Sequence, residues 1–335
     1  MVTIKDLAKF LDISPSTVSI VMRGNGDARK ISKATQERIL EAAKKLGYTP
    51  NVQAKLLRST VEKNSIITLF WASDLRPYAL TRFLSSLQNS LIQYNYPLEI
   101  IVKPYQASML ANVMTESVLL GTNGAIICNT TEEDMLYLES TSFRIPIVLY
   151  NRYSDKYPAI NMDDTRIGEL PAKVFISHGK KKPALLYSKA SFNGMNIRTN
   201  VFLYELYNSD IKDTVIFQVP DTCEGGYSGG VYLSELEPLP DCLLCTSDSI
   251  AYGALKAFHD YGVAVPDDIE IISVGNGSVD TEIYSVPSLS VINLPMEKMA
   301  DACLQRLYRS MTKMDDTVDS ISFPVSYIAR ESCPE

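Results

Sequence analysis

The chain has 335 residues and a formal net charge of −7 at pH 7, and its length predicts two or three structural units of ordinary size. Hydrophobic residues make up 46% of it and charged residues 21%, a balance that is typical of folded globular proteins and argues against a disordered chain. No apolar run approaches the roughly 18–20 residues of a membrane span, and residues 1–6 lack the features of a signal peptide, so we expect a cytoplasmic protein with no membrane partner.

Charge is distributed unevenly along the chain. Residues 1–60 contain eleven Lys or Arg and five Asp or Glu, whereas residues 61–335 contain 21 and 34. A basic head on an acidic body is expected when one end of a protein meets a polyanion and the rest does not. A solvated helical face would explain some of these lysines, but it would not explain their segregation.

Two short helices are predicted near the N-terminus. Thr3 can cap the first, which runs to about Leu11, and Ser14 can cap the second, which runs to about Met22. Pro15 suits the first turn of the second helix because its missing N–H needs no partner there. The tight turn LDIS between them predicts a helix-turn-helix, a motif whose second helix enters the major groove of DNA.

A third helix is predicted after this pair. It begins at a cap on Ser32 and ends at Gly47. Its apolar side chains, including Ile39, Leu40 and Ala43, are expected to pack on the first two helices. Small three-helix units also serve as protein-binding modules, so the pattern alone leaves that alternative open.

The exact amino-acid sequence of this region identifies a protein family more specifically than its helical periodicity does. The stretch TIKDLAKFLDISPSTVSIVMRG, followed by ISKATQERILEAAKKLGYTPNVQAKLLRS, closely resembles the DNA-binding head of the lactose-repressor (LacI/GalR) family of bacterial transcription regulators. The match runs without a gap through residues 3–58. It implies a DNA-binding domain over residues 1–49 and a hinge helix with a linker over residues 50–61. In this family a hinge-helix leucine wedges into the minor groove and kinks the duplex, and Leu57 corresponds to it by position.

The resemblance also implies a set of DNA contacts. Ile20 stands where relatives commonly carry arginine and cannot pair with guanine, so we expect a thymine methyl contact or none, and an operator that differs from the usual consensus. Surface hydroxyls without a ligand remain an alternative for Thr17 and Ser19, and a core position for Leu57. The predicted DNA-binding residues are Thr3, Pro15, Ser16, Thr17, Ser19, Ile20, Arg23, Arg29, Asn51, Ala54, Lys55 and Leu57.

The rest of the chain alternates predicted strands and helices. The apolar runs are SIITLFWAS, LEIIVKP, GAIICN, IPIVLYN, KPALLYS, TVIFQVP, DCLLCTS, IEIISVG and LSVINLP. Most are separated by helix-length segments, and about nine such strands predict two doubly wound parallel sheets. Ligands of such folds bind at the carboxyl ends of the strands, so two lobes with facing strand ends form a cleft.

Further landmarks resemble the effector-binding core of the same family, which is similar to periplasmic sugar-binding proteins. They are YNRY (150–153), NMDDTRIGE (161–169), SHGKKKPALL (177–186), PDCLLCTSDSIAYGALKAFHDYGVAVPDDIEIISVG (240–275) and FPVSYIARES (323–332). The resemblance implies a core over residues 62–335. Its N-terminal lobe takes about residues 62–160 and 293–320, and its C-terminal lobe takes about residues 161–292 and 321–335.

Carried over residue by residue, the resemblance also implies the lining of the cleft. Arginine, carboxylate and amide groups beside an aromatic face suit hydroxyl-rich ligands such as sugars. Many relatives carry an aspartate pair where this chain has Asn276, Gly277 and Ser278, so an ordinary neutral hexose is not the expected effector. The predicted effector-binding residues are Ser73, Asp74, Tyr78, Asn129, Asn151, Arg198, Tyr227, Ser247, Asp248 and Asn276.

Four positions have competing interpretations. Asp248 can instead cap the helix SIAYGALKAF, and the pair in DDTRIGE, Asp163 and Asp164, fits a helix cap better than a carboxylate site. Trp71 is expected in the core rather than as a stacking platform.

Catalysis, cofactors and metals are not expected. His178 and His259 belong to no nucleophile signature, no Walker loop is present, and GNGSVD lacks the full dinucleotide fingerprint. Cys242 and Cys245 lie in a predicted buried strand and point to opposite faces, which argues against a shared metal or redox site.

The sequence therefore predicts a homodimeric repressor of carbohydrate-utilisation genes. It would bind a pseudopalindromic double-stranded DNA operator and respond to a small ligand, either an inducer or a corepressor. A solute-binding protein without a DNA role is one alternative, which the basic head and the missing signal peptide disfavour. Control by a protein coregulator is the other. A tetramer built on a C-terminal heptad tail is not expected, since no such tail follows Pro334.

Overall fold

A computed structural model of the protein describes residues 4–22, 29–46, 64–73, 77–314 and 317–335. The chain divides into two compact units, Met1–Lys63 and Asn64–Glu335. Within the described ranges, none of the helices combines the length and apolar character needed to cross a bilayer.

The first unit contains three helices. They are α1 (Ile4–Leu11), α2 (Pro15–Met22) and α3 (Lys33–Lys45). The Oγ of Ser14 accepts a hydrogen bond from the backbone N of Thr17 at 3.1 Å, and the Oγ of Ser32 accepts one from Thr35 at 3.3 Å. Both predicted caps are confirmed, because each serine satisfies a backbone donor that has no partner within its helix.

The three helices share a small apolar core. Val18 and Val21 of α2 are buried against Leu7 and Ile39, as the helical periodicity predicts. Leu40 is 51% exposed, so its predicted place in this core is wrong. Its neighbour Ile39 faces the core, and one step along a helix turns the next side chain by about 100°.

The second unit contains two six-stranded sheets. The strands are β1 (Ser65–Ser73), β2 (Leu98–Gln106), β3 (Gly124–Cys128), β4 (Ile147–Tyr150), β5 (Ala159–Met162), β6 (Pro183–Tyr187), β7 (Val215–Gln218), β8 (Cys242–Cys245), β9 (Glu270–Gly275), β10 (Ser290–Asn293), β11 (Ser320–Phe323) and β12 (Ser326–Ile328). The helices are α4 (Pro77–Tyr94), α5 (Leu110–Val113), α6 (Glu116–Leu119), α7 (Glu132–Ser140), α8 (Asp164–Ser177), α9 (Asn193–Asn208), α10 (Cys223–Ser234), α11 (Asp248–Tyr261), α12 (Val279–Tyr284) and α13 (Met296–Met311).

The strand orders are β11-β5-β4-β3-β1-β2 and β12-β10-β9-β8-β6-β7. All neighbours run parallel except β10 and β12. The predicted pair of doubly wound sheets is confirmed. Strands β5, β11 and β12 were not predicted, because they have only three or four residues, and none of the residues in the last two is fully buried.

The chain passes between the sheets three times. Strand β5 is followed by α8, which packs on α9 beside the second sheet. Strand β10 is followed by α13, which packs on α4 and on the first sheet, and β11 is followed directly by β12. We call the first sheet with its helices lobe 1 and the second sheet with its helices lobe 2.

Candidate ligand cleft and nucleic-acid interface

A cleft lies between the two lobes at the carboxyl ends of their parallel strands. It encloses about 570 Å³, including its mouth, which is open to solvent. Lobe 1 contributes Trp71, Asn129, Tyr150, Asn151, Arg152 and Met162, among others. Lobe 2 contributes Phe192, Met195, Arg198, Asp221, Thr246 and Asn276. Of the ten residues expected to bind the effector, the structure brings Asn129, Asn151, Arg198 and Asn276 together here.

The two asparagines from lobe 1 sit at the ends of adjacent strands. Asn129 follows β3 with φ 59°, and Asn151 follows β4 with φ 53°, a left-handed conformation that asparagine tolerates better than most residues. The side-chain Nδ2 of Asn129 is buried and finds no hydrogen-bond partner among the described residues. A buried donor of this kind calls for a partner, which a ligand in the cleft can supply.

The guanidinium group of Arg198 is held from behind by Asp164. Its Nε and Nη2 lie 2.8 and 2.7 Å from Asp164 Oδ1, and both side chains are largely buried. The neighbouring Asp163 caps α8, since its Oδ1 accepts a hydrogen bond from the backbone N of Arg166 at 3.0 Å. The predicted helix cap is therefore confirmed for Asp163, whereas Asp164 orients the arginine.

A cation–π contact crosses the cleft and was not predicted. The Cζ of Arg152, from lobe 1, lies 3.9 Å from the ring centroid of Phe192, from lobe 2, and the Cζ of Arg198 lies 5.5 Å from the same centroid. Arg152 also donates from Nε to Thr130 O at 2.7 Å and from Nη1 to Asn151 O at 2.6 Å. Its place beside Asn151 in the sequence was the one available signal.

Ser247 is buried and contacts a residue that lines the cleft. Its Oγ accepts a hydrogen bond from the backbone N of Ile250 at 3.3 Å and donates to Asp221, which lines the cleft. The cap of α11 is therefore Ser247 and not Asp248.

Asp248 is buried behind the loop that carries Asn276. Its Oδ1 accepts from Ser273 Oγ and its Oδ2 accepts from the backbone N of Gly277, both at 2.6 Å. It therefore fixes this loop and does not line the cleft. Burial, followed by the negative charge of Glu282, raises the pKa of Asp248 to about 7.

Replacing Asp248 with asparagine is expected to remove a pH dependence of stability. The pKa of an unfolded aspartate is about 3.9, so the folded wild type holds a proton that the unfolded chain has lost. This contribution to the free energy of unfolding is complete below about pH 4, is lost as the pH rises through about 7, and is at most about 4 kcal/mol. An amide titrates at neither pH, and its oxygen can still accept from the backbone N of Gly277.

Urea unfolding of both proteins near pH 5 and pH 7.5 measures this difference. The loss of unfolding free energy between the two pH values should be smaller in Asp248→Asn. Equal losses in the two proteins would contradict a raised pKa for Asp248.

Three other predicted effector residues lie elsewhere, and a fourth is not described. Ser73 and Tyr78 are exposed near the end of β1 and do not line the cleft, while Asp74 lies outside the described residues. The hydroxyl of Tyr227 lies on the surface and donates to Asp260 at 3.2 Å.

Close packing between α10 and α11 explains the position of Tyr227. A Cβ on Gly226 would lie 2.0 Å from the carbonyl oxygen of Ile250, so only glycine fits that contact. The glycine face of α10 takes the buried side, and Tyr227 turns outward. Trp71, by contrast, is buried as predicted, packs against Phe83 and also forms part of the cleft wall.

Helix α2 is the described part of the candidate nucleic-acid interface. Pro15 and Ser16 are exposed in its first turn, the turn from which such a helix reaches base edges, and Ile20 is half-buried. Thr17 is half-buried, and its hydroxyl lies 2.8 Å from the Oγ of Ser14, so part of its hydrogen bonding belongs to the helix cap.

The other predicted DNA contacts are only partly described. Ser19 is half-buried on α2, and Arg29 is exposed between α2 and α3. Six predicted contacts lie outside the described residues, namely Thr3, Arg23, Asn51, Ala54, Lys55 and Leu57.

Two family models match the chain. The model for bacterial regulatory proteins of the lacI family matches residues 3–51, and the model for a periplasmic binding protein-like domain matches residues 172–333. Among curated proteins, the chain is 28% identical to the Probable HTH-type transcriptional repressor ExuR of Bacillus subtilis (strain 168). That alignment covers 99% of this chain and 98% of the relative.

Solved structures share the fold. A LacI family transcriptional regulator from Enterococcus faecium with bound ribose is similar at a TM-score of 0.71 and 18% identity, covering 81% of this chain and 99% of that one. The Lac repressor dimer bound to operator and the anti-inducer ONPF is similar at a TM-score of 0.71 and 19% identity, covering 100% of this chain and 99% of that one.

Proposed function

Because the chain belongs to the lacI family of bacterial regulatory proteins, we propose that a carbohydrate derivative bound in the cleft controls the affinity of this protein for DNA. Membership makes the chain a DNA-binding transcriptional repressor with a ligand-binding core. Repressors of this family are not enzymes, so the side chains of the cleft serve to bind and not to transform the ligand. The lacI-family match over residues 3–51 also removes the alternative of a solute-binding protein without a DNA role.

The arrangement around Phe192 carries the proposal. Two guanidinium groups, from Arg152 and Arg198, lie near the ring of Phe192. The buried side-chain Nδ2 of Asn129 has no hydrogen-bond acceptor among the described residues. Converging donors beside an aromatic face suit a ligand rich in hydroxyl groups. The Enterococcus regulator with bound ribose supports a sugar as the ligand class.

An acidic sugar derivative fits this cleft better than a neutral hexose. The loop after β9 offers the amide of Asn276 and no carboxylate over residues 276–278. Arginine pairs with a carboxylate through charge-assisted hydrogen bonds, which are roughly twice as strong as neutral ones. Arg152 and Arg198 both reach the cleft, so a ligand carboxylate meets a guanidinium group from each lobe, although Arg198 is also paired with Asp164 and Asp221 lines the same cleft.

Control of DNA binding follows from the connection of the lobes. A ligand held by Arg152 of lobe 1 and Arg198 of lobe 2 favours one angle between the lobes over another. In a homodimer on a pseudopalindromic operator, that angle sets the spacing of the two heads. A ligand that prefers the DNA-ready angle acts as a corepressor, and one that prefers the other angle acts as an inducer.

A thermal-shift panel tests the ligand class. Sugar acids are expected to raise the melting temperature of the full-length protein more than the neutral sugars of the same carbon skeleton. A ligand at 100 times its Kd adds about 2.7 kcal/mol of stability, which shifts the melting temperature by a few degrees. A neutral sugar that raises the melting temperature as much as its acid does would contradict the acidic preference. If no compound in the panel raises the melting temperature, control by a protein coregulator is favoured.

A further inference from the structure

A cluster of metal-binding side chains lies at the amino-terminal edge of the second sheet, away from the cleft. His178 ends α8, Glu270 begins β9, and Cys333 lies near the end of the chain. The Nδ1 of His178 is 2.8 Å from Glu270 Oε2, and the Sγ of Cys333 is 3.2 Å from the same oxygen. The Nδ1 and Sγ atoms are 3.9 Å apart.

We infer that these three side chains form a site for Zn²⁺ or another divalent transition metal. Imidazole nitrogen, thiolate sulfur and carboxylate oxygen are the ligands of protein-bound Zn²⁺, at bond lengths of about 2.0–2.3 Å. The three ligand atoms, His178 Nδ1, Glu270 Oε2 and Cys333 Sγ, form a triangle with sides of 2.8, 3.2 and 3.9 Å. The point equidistant from the three atoms lies roughly 2 Å from each of them, which matches those bond lengths. The ion therefore fits between the three atoms without a large movement of any side chain.

Binding replaces protons by the ion. The thiol of Cys333 donates to Glu270 Oε2 in the metal-free protein, and its proton leaves to solvent when the thiolate coordinates. The imidazole of His178 coordinates through the Nδ1 lone pair and carries its proton on Nε2. The thiolate and the carboxylate then supply two negative charges at the ion, and the ammonium group of Lys180 adds one positive charge beside the carboxylate.

The surroundings support such a site. Lys180 Nζ lies 3.0 Å from Glu270 Oε1, the oxygen that does not face the ion, so it orients the carboxylate as an outer partner. The side chain of Cys333 is fully buried, while that of His178 is 22% exposed and leaves a path for the ion and for a water molecule as fourth ligand.

No metal site was expected, because only Cys242 and Cys245 lie close together in the sequence. The three ligands of the cluster are separated by 92 and 63 positions along the chain, so no short sequence motif indicates that they form a metal site. The ion would tie the final residues to α8 and β9. This role is structural and does not depend on the ligand of the cleft.

Metal loading of the reduced, chelator-stripped full-length protein tests the site. We expect one Zn²⁺ per chain by elemental analysis, and a thiolate-to-cobalt charge-transfer band when Co²⁺ is used instead. His178→Ala should weaken Zn²⁺ binding at least about tenfold, and Cys333→Ser should abolish the charge-transfer band.

His259→Ala and Cys223→Ser are the matched controls. His259 is exposed on α11 and Cys223 is an exposed thiol, so both variants should bind the metal like the wild type. His178→Ala alters a partly exposed side chain and stays informative even where Cys333→Ser fails to fold. The inference is wrong if the wild type retains no ion, if His178→Ala binds equally well, or if Cys223→Ser is the variant that loses the band.

Discussion

The double variant Arg198→Gln with Asp164→Asn should lose at least about tenfold, and up to about a hundredfold, in affinity for the effector while it keeps its fold and its operator affinity. A hydrogen bond to a charged group contributes about 1.5–3 kcal/mol, which corresponds to that range. Arg198 lines the cleft, and Asp164 fixes its guanidinium group through contacts of 2.7 and 2.8 Å.

Both partners are changed because a single substitution would confuse two effects. Asp164 is only 3% exposed, so Arg198→Ala would leave a buried carboxylate without its partner and cost about 3–5 kcal/mol of stability. In the double variant, the two amide side chains at positions 164 and 198 can still form one hydrogen bond with each other, and neither carries a charge. Arg166→Gln is the control, since Arg166 lies on α8 but is 45% exposed and pairs with Glu169. Wild-type ligand affinity in the double variant would contradict the binding role of Arg198.

Replacing Leu57 with alanine should weaken operator binding by about 10–100-fold and leave non-specific DNA binding almost unchanged. We propose that Leu57, which lies outside the described residues, inserts into the central base step as the family resemblance implies. Withdrawing a buried leucine side chain costs about 1.5–3 kcal/mol, whereas non-specific affinity rests on phosphate contacts and depends on salt.

Fluorescence anisotropy with an operator duplex and an unrelated duplex separates these terms. Leu40→Ala is the control, because Leu40 is an exposed leucine of the same unit and its truncation should change neither affinity. Equal losses on both duplexes in Leu57→Ala would show that the residue has no wedge role.

The sequence predicted those features that repeat with a regular period or follow a strand directly. Ser14 and Ser32 cap helices α2 and α3 of the first unit, as the capping rule predicts. The family resemblance implied Asn129 and Asn151 for the cleft, and they reach it because each directly follows a buried parallel strand, and such strand ends share one edge of the sheet.

The remainder depends on contacts between distant parts of the chain. Arg152 and Phe192 meet across the cleft from two lobes, and no local pattern reports such a pairing. Asp248 was expected in the cleft, yet Gly277 and Ser273 turn its carboxylate into the protein. Helix register alone does not reveal which neighbouring loop an acidic side chain will hold.

Operator affinity measured with and without the best-stabilising sugar acid tests the central claim most directly. If a ligand in the cleft controls this repressor, the ligand should change operator Kd by about 5–150-fold in wild type, the usual range of coupling between two sites. The change should disappear in the Arg198→Gln, Asp164→Asn variant at the same ligand concentration. An operator Kd that is unaffected by a ligand that demonstrably binds the cleft would contradict the account.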